Sequence, residues 1–271
     1  MKTHMSFQEY SSVRAVNWSC LKEMSRSPLH YAHRLTRPRD DTPAMRFGRA
    51  CHTAVLEPDR FPLEYVVFDG ARRAGKEWDA FAAVNSARTI LKADEYQTAL
   101  ALRDAVHAHP VAGQLLASGL PELSLQWTDA ATGLPCKARI DWWDDSTLAL
   151  TDLKTTKDVQ ARVFGHLAAR LGYHGQVAFY RAGVKAVYGC EATVRIVAAE
   201  AEAPHDVAVF GIDDDCLYAG EEEVKRLLQL VAECRESGVW PGRYPEEVPL
   251  ELPTWVFPDD ETSGLMVAGG Y

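Results

Sequence analysis

The chain has 271 residues, 47% of them hydrophobic and 25% charged, with a formal net charge of −9. This is the balance of a globular protein long enough to bury a substantial core, and no apolar run approaches the roughly 18 residues of a membrane span. Met1 to Tyr10 is polar and lacks a signal-peptide core, and the six cysteines show no C-x-x-C or zinc-like spacing. A cytoplasmic protein is therefore expected, without a structural metal or an iron–sulfur cluster.

The charge is unevenly spread. Residues 1–50 hold nine Lys or Arg against four acids, whereas residues 200–271 hold seventeen acids against four basic residues. The net charge alone therefore does not exclude a nucleic-acid partner, because a basic front section can form a local positive groove.

In chain order, the first predicted element is a helix over Val13–Leu35, capped by Asn17 or Ser19 and broken at Ser27-Pro28. A basic loop, 34–39, follows. A second helix begins near Thr42-Pro43 and ends at Leu56, before Glu57-Pro58. Phe61–Phe68 has strand character, and 70–76 is a basic, glycine-flanked loop. Helices are predicted over 77–90, 94–109 and about 111–118.

From there the pattern changes. Strands are predicted at 122–127, 136–143 and 147–154, with turns at Thr132-Gly133 and Asp144-Asp145-Ser146. Helices over 159–171 and 173–188, strands at 192–200 and 206–212, and a helix from Asp213 through Cys234 complete the core. The last 30 residues are proline-rich and irregular. This order predicts a single α/β domain. It has a helical N-terminal section (about 12–118), a sheet core flanked by helices (about 119–240) and a tail (about 241–271).

Three features carry chemistry. The short connection makes 136–143 and 147–154 antiparallel neighbours, which can bring Asp141 beside Asp152. Strand alternation places Asp152 and Lys154 on one face. A carboxylate pair with an ammonium beside it is costly unless a divalent cation neutralises the acids, so the stretch suggests a metal-dependent hydrolytic site. Hard oxygen ligands suit Mg²⁺ or Mn²⁺ and not zinc. A lysine partly desolvated near the cations could have a lowered pKa and serve as base, a role the sequence does not decide. Trp127, Trp142 and Trp143 read as sheet packing.

The pieces Phe47-Gly48-Arg49-Ala50-Cys51-His52, Pro121-Glu122, Arg139-Ile140-Asp141, Thr151-Asp152-Leu153-Lys154 and Gln176-x-x-x-Tyr180 occur in an order that resembles the PD-(D/E)XK nucleases. Within them the chain resembles the RecE-type, exonuclease VIII-like branch, related to lambda exonuclease and RecB-type nuclease domains, over roughly residues 12–255. The resemblance implies a restriction-endonuclease-like core, a mixed central sheet flanked by helices, that hydrolyses DNA phosphodiesters with Mg²⁺ or Mn²⁺. It implies Asp141 and Asp152 as core metal ligands, the Leu153 carbonyl as a backbone ligand, and Glu122 and His52 at the metal or its water. Lys154 would orient or deprotonate the attacking water, or stabilise the developing charge, and Gln176 and Tyr180 would hold Lys154 and the phosphate. Many relatives have Glu where this chain has Asp152.

The implied activity is a 5′-to-3′ double-stranded DNA exonuclease that leaves 3′ single strands for a single-strand annealing protein of the RecT type. By the same resemblance it works as a homo-oligomeric ring, trimer or tetramer, around duplex ends. Arg34, Arg37, Arg39, Arg46, Arg72, Arg73 and Lys76 are the candidate phosphate contacts. Two alternatives use the same residues: a structure-specific endonuclease, and a catalytically weak DNA-end-binding module.

Overall fold

The computed structural model describes residues 2–3, 5–37, 42–70 and 72–256. In chain order the strands are β1 (Lys2–Thr3), β2 (Tyr65–Val67), β3 (Thr89–Leu91), β4 (Leu120–Thr128), β5 (Pro135–Asp144), β6 (Ala149–Thr156), β7 (Thr193–Glu200) and β8 (Val207–Gly211). The helices are α1 (Phe7–Ser12), α2 (Trp18–Leu21), α3 (Pro28–Thr36), α4 (Pro43–Leu56), α5 (Phe61–Glu64), α6 (Lys76–Val84), α7 (Ala93–Ala108), α8 (Pro110–Leu115), α9 (Ala161–Leu171), α10 (Tyr173–Tyr188) and α11 (Asp214–Ser237).

The main sheet has the order β1-β4-β5-β6-β7-β8. All its neighbours are antiparallel except β6 and β7, which run parallel. A parallel pair needs a long crossover, and α9 and α10 supply it. Strands covered on both faces read as nearly continuous apolar runs, and β7 is such a case. Ile196 and Ala198 face the α9–α10 side with Phe164 and Val177. Val197 and Ala199 face α4 and α7, packing with Ala54, Val55 and Leu102. A third cluster joins α2, α3 and α11 around Trp18, Tyr31, Leu227 and Val231. Trp142 and Trp143 are buried on opposite sides, in line with the packing role expected of them, and Trp127 lies against Phe179.

Local signals explain the helix starts. Thr42 accepts the Met45 N–H and Pro43 opens α4; Ser27 and Pro28 do the same for α3, and Asn17 for α2. Gly172, at φ +72°, closes α9 and lets α10 begin at the next residue.

Several expectations change. The first predicted helix is three pieces, α2, a 3-10 turn (Lys22–Ser25) and α3. Helix α3 runs to Thr36, so Arg34 is helical and not in a loop. The segment from Phe61 opens as the helical turn α5, with Pro62 in its first turn where a missing N–H is harmless, and only Tyr65–Val67 is extended. The predicted helix over 77–90 stops at Val84, and Thr89–Leu91 pairs in parallel with β2. Residues 241–253 are irregular, as expected; the tail beyond 256 lies outside the described residues. Among the described residues no helix is long and apolar enough to cross a membrane.

Candidate metal centre

The site forms where the β5–β6 ladder opens. Trp142 pairs with Thr151, Trp143 with Leu150 and Asp144 with Ala149. The same register sets Asp141 opposite Asp152, but there the backbone pairing stops. The Leu153 N–H, which has lost its ladder acceptor, donates instead to Asp141 Oδ2 at 2.9 Å. A buried N–H needs such a partner. The N–H and C=O of a strand residue point to the same side, so the Leu153 carbonyl also faces the gap.

On the other flank, Pro121 pairs with Trp142 and Leu123 with Ile140, which leaves Glu122 opposite Asp141. Glu122 has φ +54°, a left-handed conformation that costs a side-chain-bearing residue about 1–3 kcal/mol and is retained where the surroundings enforce it. Its carboxylate pairs with Arg139, on the next strand. Glu122, Asp141 and Asp152 thus take facing positions on three adjacent strands.

Helix α4 brings His52 to this row, with Nδ1 3.6 Å from Asp141 Oδ2. One ligand atom each from His52, Glu122 and Asp141 lies within 4.8 Å of the others. Asp152 stands apart from that trio. It is fully buried, its Oδ2 lies 2.6 Å from Lys154 Nζ, and its Oδ1 has no protein hydrogen-bond partner. Lys154 Nζ in turn lies 4.8 Å from the ring centroid of Tyr173, the first residue of α10. One turn along, Gln176 Nε2 donates to the Tyr180 hydroxyl at 3.0 Å.

The electrostatics are those of crowded acids. Burial, and then Asp141, push the Glu122 carboxyl above its ordinary value. Burial raises Asp141 against the pull of Lys154 and the Leu153 N–H. Asp152 is raised to about 6 by burial, with Asp141 adding to the effect and Lys154 opposing it. Burial and then Lys154 lower His52, leaving a neutral imidazole free to ligate. Tyr180 is raised well above its ordinary value by burial and then by Asp141 and Asp152.

Burial works to lower the pKa of Lys154, but the carboxylates of Asp152 and Asp141 outweigh it and the lysine is raised. Without a bound cation to offset those acids, Lys154 is an ammonium and not a base.

This donor set fits a divalent cation. Three carboxylates against Lys154 and Arg139 leave an excess of negative charge, a neutral imidazole stands beside them, and a buried Asp152 oxygen lacks a protein partner. Oxygen-rich coordination suits Mg²⁺ and Mn²⁺, and the imidazole favours Mn²⁺ of the two.

The expected DNA contacts are dispersed. Arg34 Nη1 donates to the Arg37 carbonyl, and their helix packs toward α11, in a cluster apart from α4. Arg46 is exposed on α4, six residues before His52; Arg72 and Lys76 are exposed and Arg73 stacks over Trp78. Arg39 lies outside the described residues. Sequence reasoning assigned no role to Arg139 or Tyr173. Arg139 precedes Asp141 by two on the same strand, which was the available signal; Tyr173 had only the preceding glycine to mark it.

Similarity to known proteins agrees with this fold. A solved structure from Eubacterium rectale, described as a "Putative exonuclease", matches with a TM-score of 0.65 at 14% sequence identity. The match covers 92% of this chain and 97% of that one. At that identity the likeness shows the fold, a mixed sheet flanked by helices. None of the curated proteins matches. Residues 17–248 match the model of a family described as "PDDEXK-like domain of unknown function (DUF3799)", a span that takes in every strand of the acidic row. The chain therefore belongs to this PDDEXK-like family.

Proposed function

We propose that the protein is a metal-dependent DNA exonuclease that degrades the 5′ strand of duplex ends. The observation that carries this reading is the row Glu122, Asp141 and Asp152 on three adjacent strands, with His52 and Lys154 closing it. When bound, Mg²⁺ or Mn²⁺ would polarise the phosphodiester and lower the pKa of a bound water. His52, Glu122 and Asp141 would hold the cation, and Asp152 and the Leu153 carbonyl would add to its ligands. Lys154, an ammonium beside Asp152, would orient the attacking water and stabilise charge on the phosphoryl oxygens. The Gln176–Tyr180 pair keeps the α10 wall of the cleft in place behind Lys154. Arg139 orients Glu122, holding its carboxylate toward Asp141.

The product would be a 3′ single strand for an annealing partner of the RecT type, and a ring of three or four subunits would keep the enzyme on the duplex. Arg46, Arg72, Arg73 and Lys76 would contact phosphates without reading sequence; Arg34 and Arg37 would do so from the α3 end.

The test is digestion of linear duplex DNA labelled at either the 5′ or the 3′ end, with Mg²⁺ or Mn²⁺ and a closed circular control. Loss of the 5′ label from linear DNA only is expected. Cutting of the circle would replace the reading with an endonuclease. No cleavage with either metal would leave a DNA-binding module.

A further inference from the structure

A cavity of about 620 Å³ opens between α4 and α9, within the size range of small-molecule sites. Three of the elements that line it also carry residues of the acidic site or lead into them. On α4 it begins at Phe47, five residues before His52, or about 7.5 Å along the helix. Its floor is Thr155 to Asp158, directly after Lys154. On α9 it reaches Arg170, three residues before Tyr173, whose ring lies against Lys154. Three of its lining segments therefore follow or precede residues of the acidic site by a few positions along the chain.

Its chemistry is mixed in a specific way. Phe47, Val163 and Leu167 give an apolar lining, and Lys157, His166 and Arg170 stand at its margin. His166 and Arg170 continue a stripe with Arg162, four residues apart along one helix face. These four side chains are exposed, and among the described residues none of them forms an ion pair. The one carboxylate lining the cavity, Asp158, is turned to accept the Gln160 N–H at 2.7 Å. On the far side of Phe47 the surface becomes acidic, with Asp94, Glu95 and Glu202. An anionic chain entering here is repelled from that side and drawn to α9. An apolar hollow with one aromatic face, Phe47, and with Lys157 and Arg170 at its rim has the composition that accepts unpaired nucleotides, base inward and phosphate outward.

We infer that this cavity holds unpaired nucleotides of the strand being cut, next to the scissile phosphate, with bases on Phe47 and Leu167 and backbone on Lys157 and Arg170. The inference rests on the nuclease reading for the strand's origin but not for its binding. It implies that the duplex end is opened before cleavage, so single-stranded DNA is a ligand in its own right.

The test uses the full chain in EDTA, where nothing is cleaved, and follows fluorescence anisotropy of a labelled thymidine oligonucleotide over a range of salt. Lys157→Ala/Arg170→Ala should weaken binding about tenfold and reduce the salt slope by about 1.4, the value for two phosphate contacts on a single strand. Phe47→Leu keeps the apolar volume but loses the aromatic face; it should weaken binding about fivefold with the slope unchanged. Lys225→Ala/Arg226→Ala, the same charge change on α11, is the control. Pocket variants that bind like this control would overturn the inference, whether or not the parent cleaves DNA. Weakened binding in a parent that cleaves nothing with either metal would support the pocket and overturn the nuclease reading alone.

Discussion

The pair formed by Asp152 and Lys154 allows a quantitative prediction. Asp152 is fully buried and Lys154 lies 2.6 Å away, so Lys154→Met leaves a buried carboxylate without its cation. Breaking a buried pair in this way costs about 3–5 kcal/mol. The stranded acid can escape only by taking up a proton. From an ordinary value of 3.8, protonation costs about 6 kcal/mol at pH 8 and about 1.6 kcal/mol at pH 5. The folded value, already raised to about 6, rises further once Lys154 no longer lowers it. A raised carboxyl destabilises the fold increasingly as pH climbs from its unfolded value through its folded one, so the penalty belongs to the alkaline side of that window. Urea denaturation in EDTA should show a loss of about 3–5 kcal/mol at pH 8 that shrinks to no more than about 2 kcal/mol at pH 5. Asp152→Asn combined with Lys154→Met should recover most of it. An equal loss at both pH values, or none at pH 8, would refute the electrostatic account of the site.

Other outcomes follow from the same structure. Asp141→Asn keeps an acceptor for the Leu153 N–H and removes one crowded charge, so it should raise the melting temperature in EDTA; Mn²⁺ at a hundredfold its Kd should stabilise the parent by about 2.7 kcal/mol and the variant far less, by differential scanning fluorimetry. Lys137, buried in β5, donates to the carbonyls of Tyr10 (2.7 Å) and Val13 (2.8 Å) at the end of α1. Lys137→Met should cost about 2–3 kcal/mol and expose the segment before Val16 to limited proteolysis. Leu148 has φ +51° in the turn between β5 and β6 and is partly exposed, so Leu148→Gly should stabilise by up to about 1 kcal/mol in the same denaturation assay.

The parts of the fold that were legible in the sequence are those with long periodic signals or explicit caps. Thr42-Pro43 announces α4, and the alternation at 122–127 with the apolar-rich runs 136–143 and 147–154 announces the three strands of the acidic row. Asp152 and Lys154 share a face because the strand period is two, and their contact bears this out. Strands of two or three residues, β1 to β3, are too short to show a period, and tertiary pairing decides them. Tyr65-Val66-Val67 looks extended and is, but the same apolar run concealed the helical turn ahead of it. The left-handed Glu122 carries no local mark, since neither Pro121 nor Leu123 requires it. The state of Lys154 depends on how many carboxylates the fold gathers around it, which spacing does not reveal. His52 was legible only through the resemblance, because a helical histidine beside buried Cys51 ordinarily packs in a core.

The most direct test of the central claim joins metal binding to cleavage in one sample. Mn²⁺ is titrated calorimetrically into the parent and into Asp141→Asn, and linear duplex DNA is then added to each. The parent should bind the ion and degrade the DNA, while the variant should do neither at the same metal concentration. Cleavage by the variant at the parent's rate, or ion binding unchanged by the substitution, would contradict that claim.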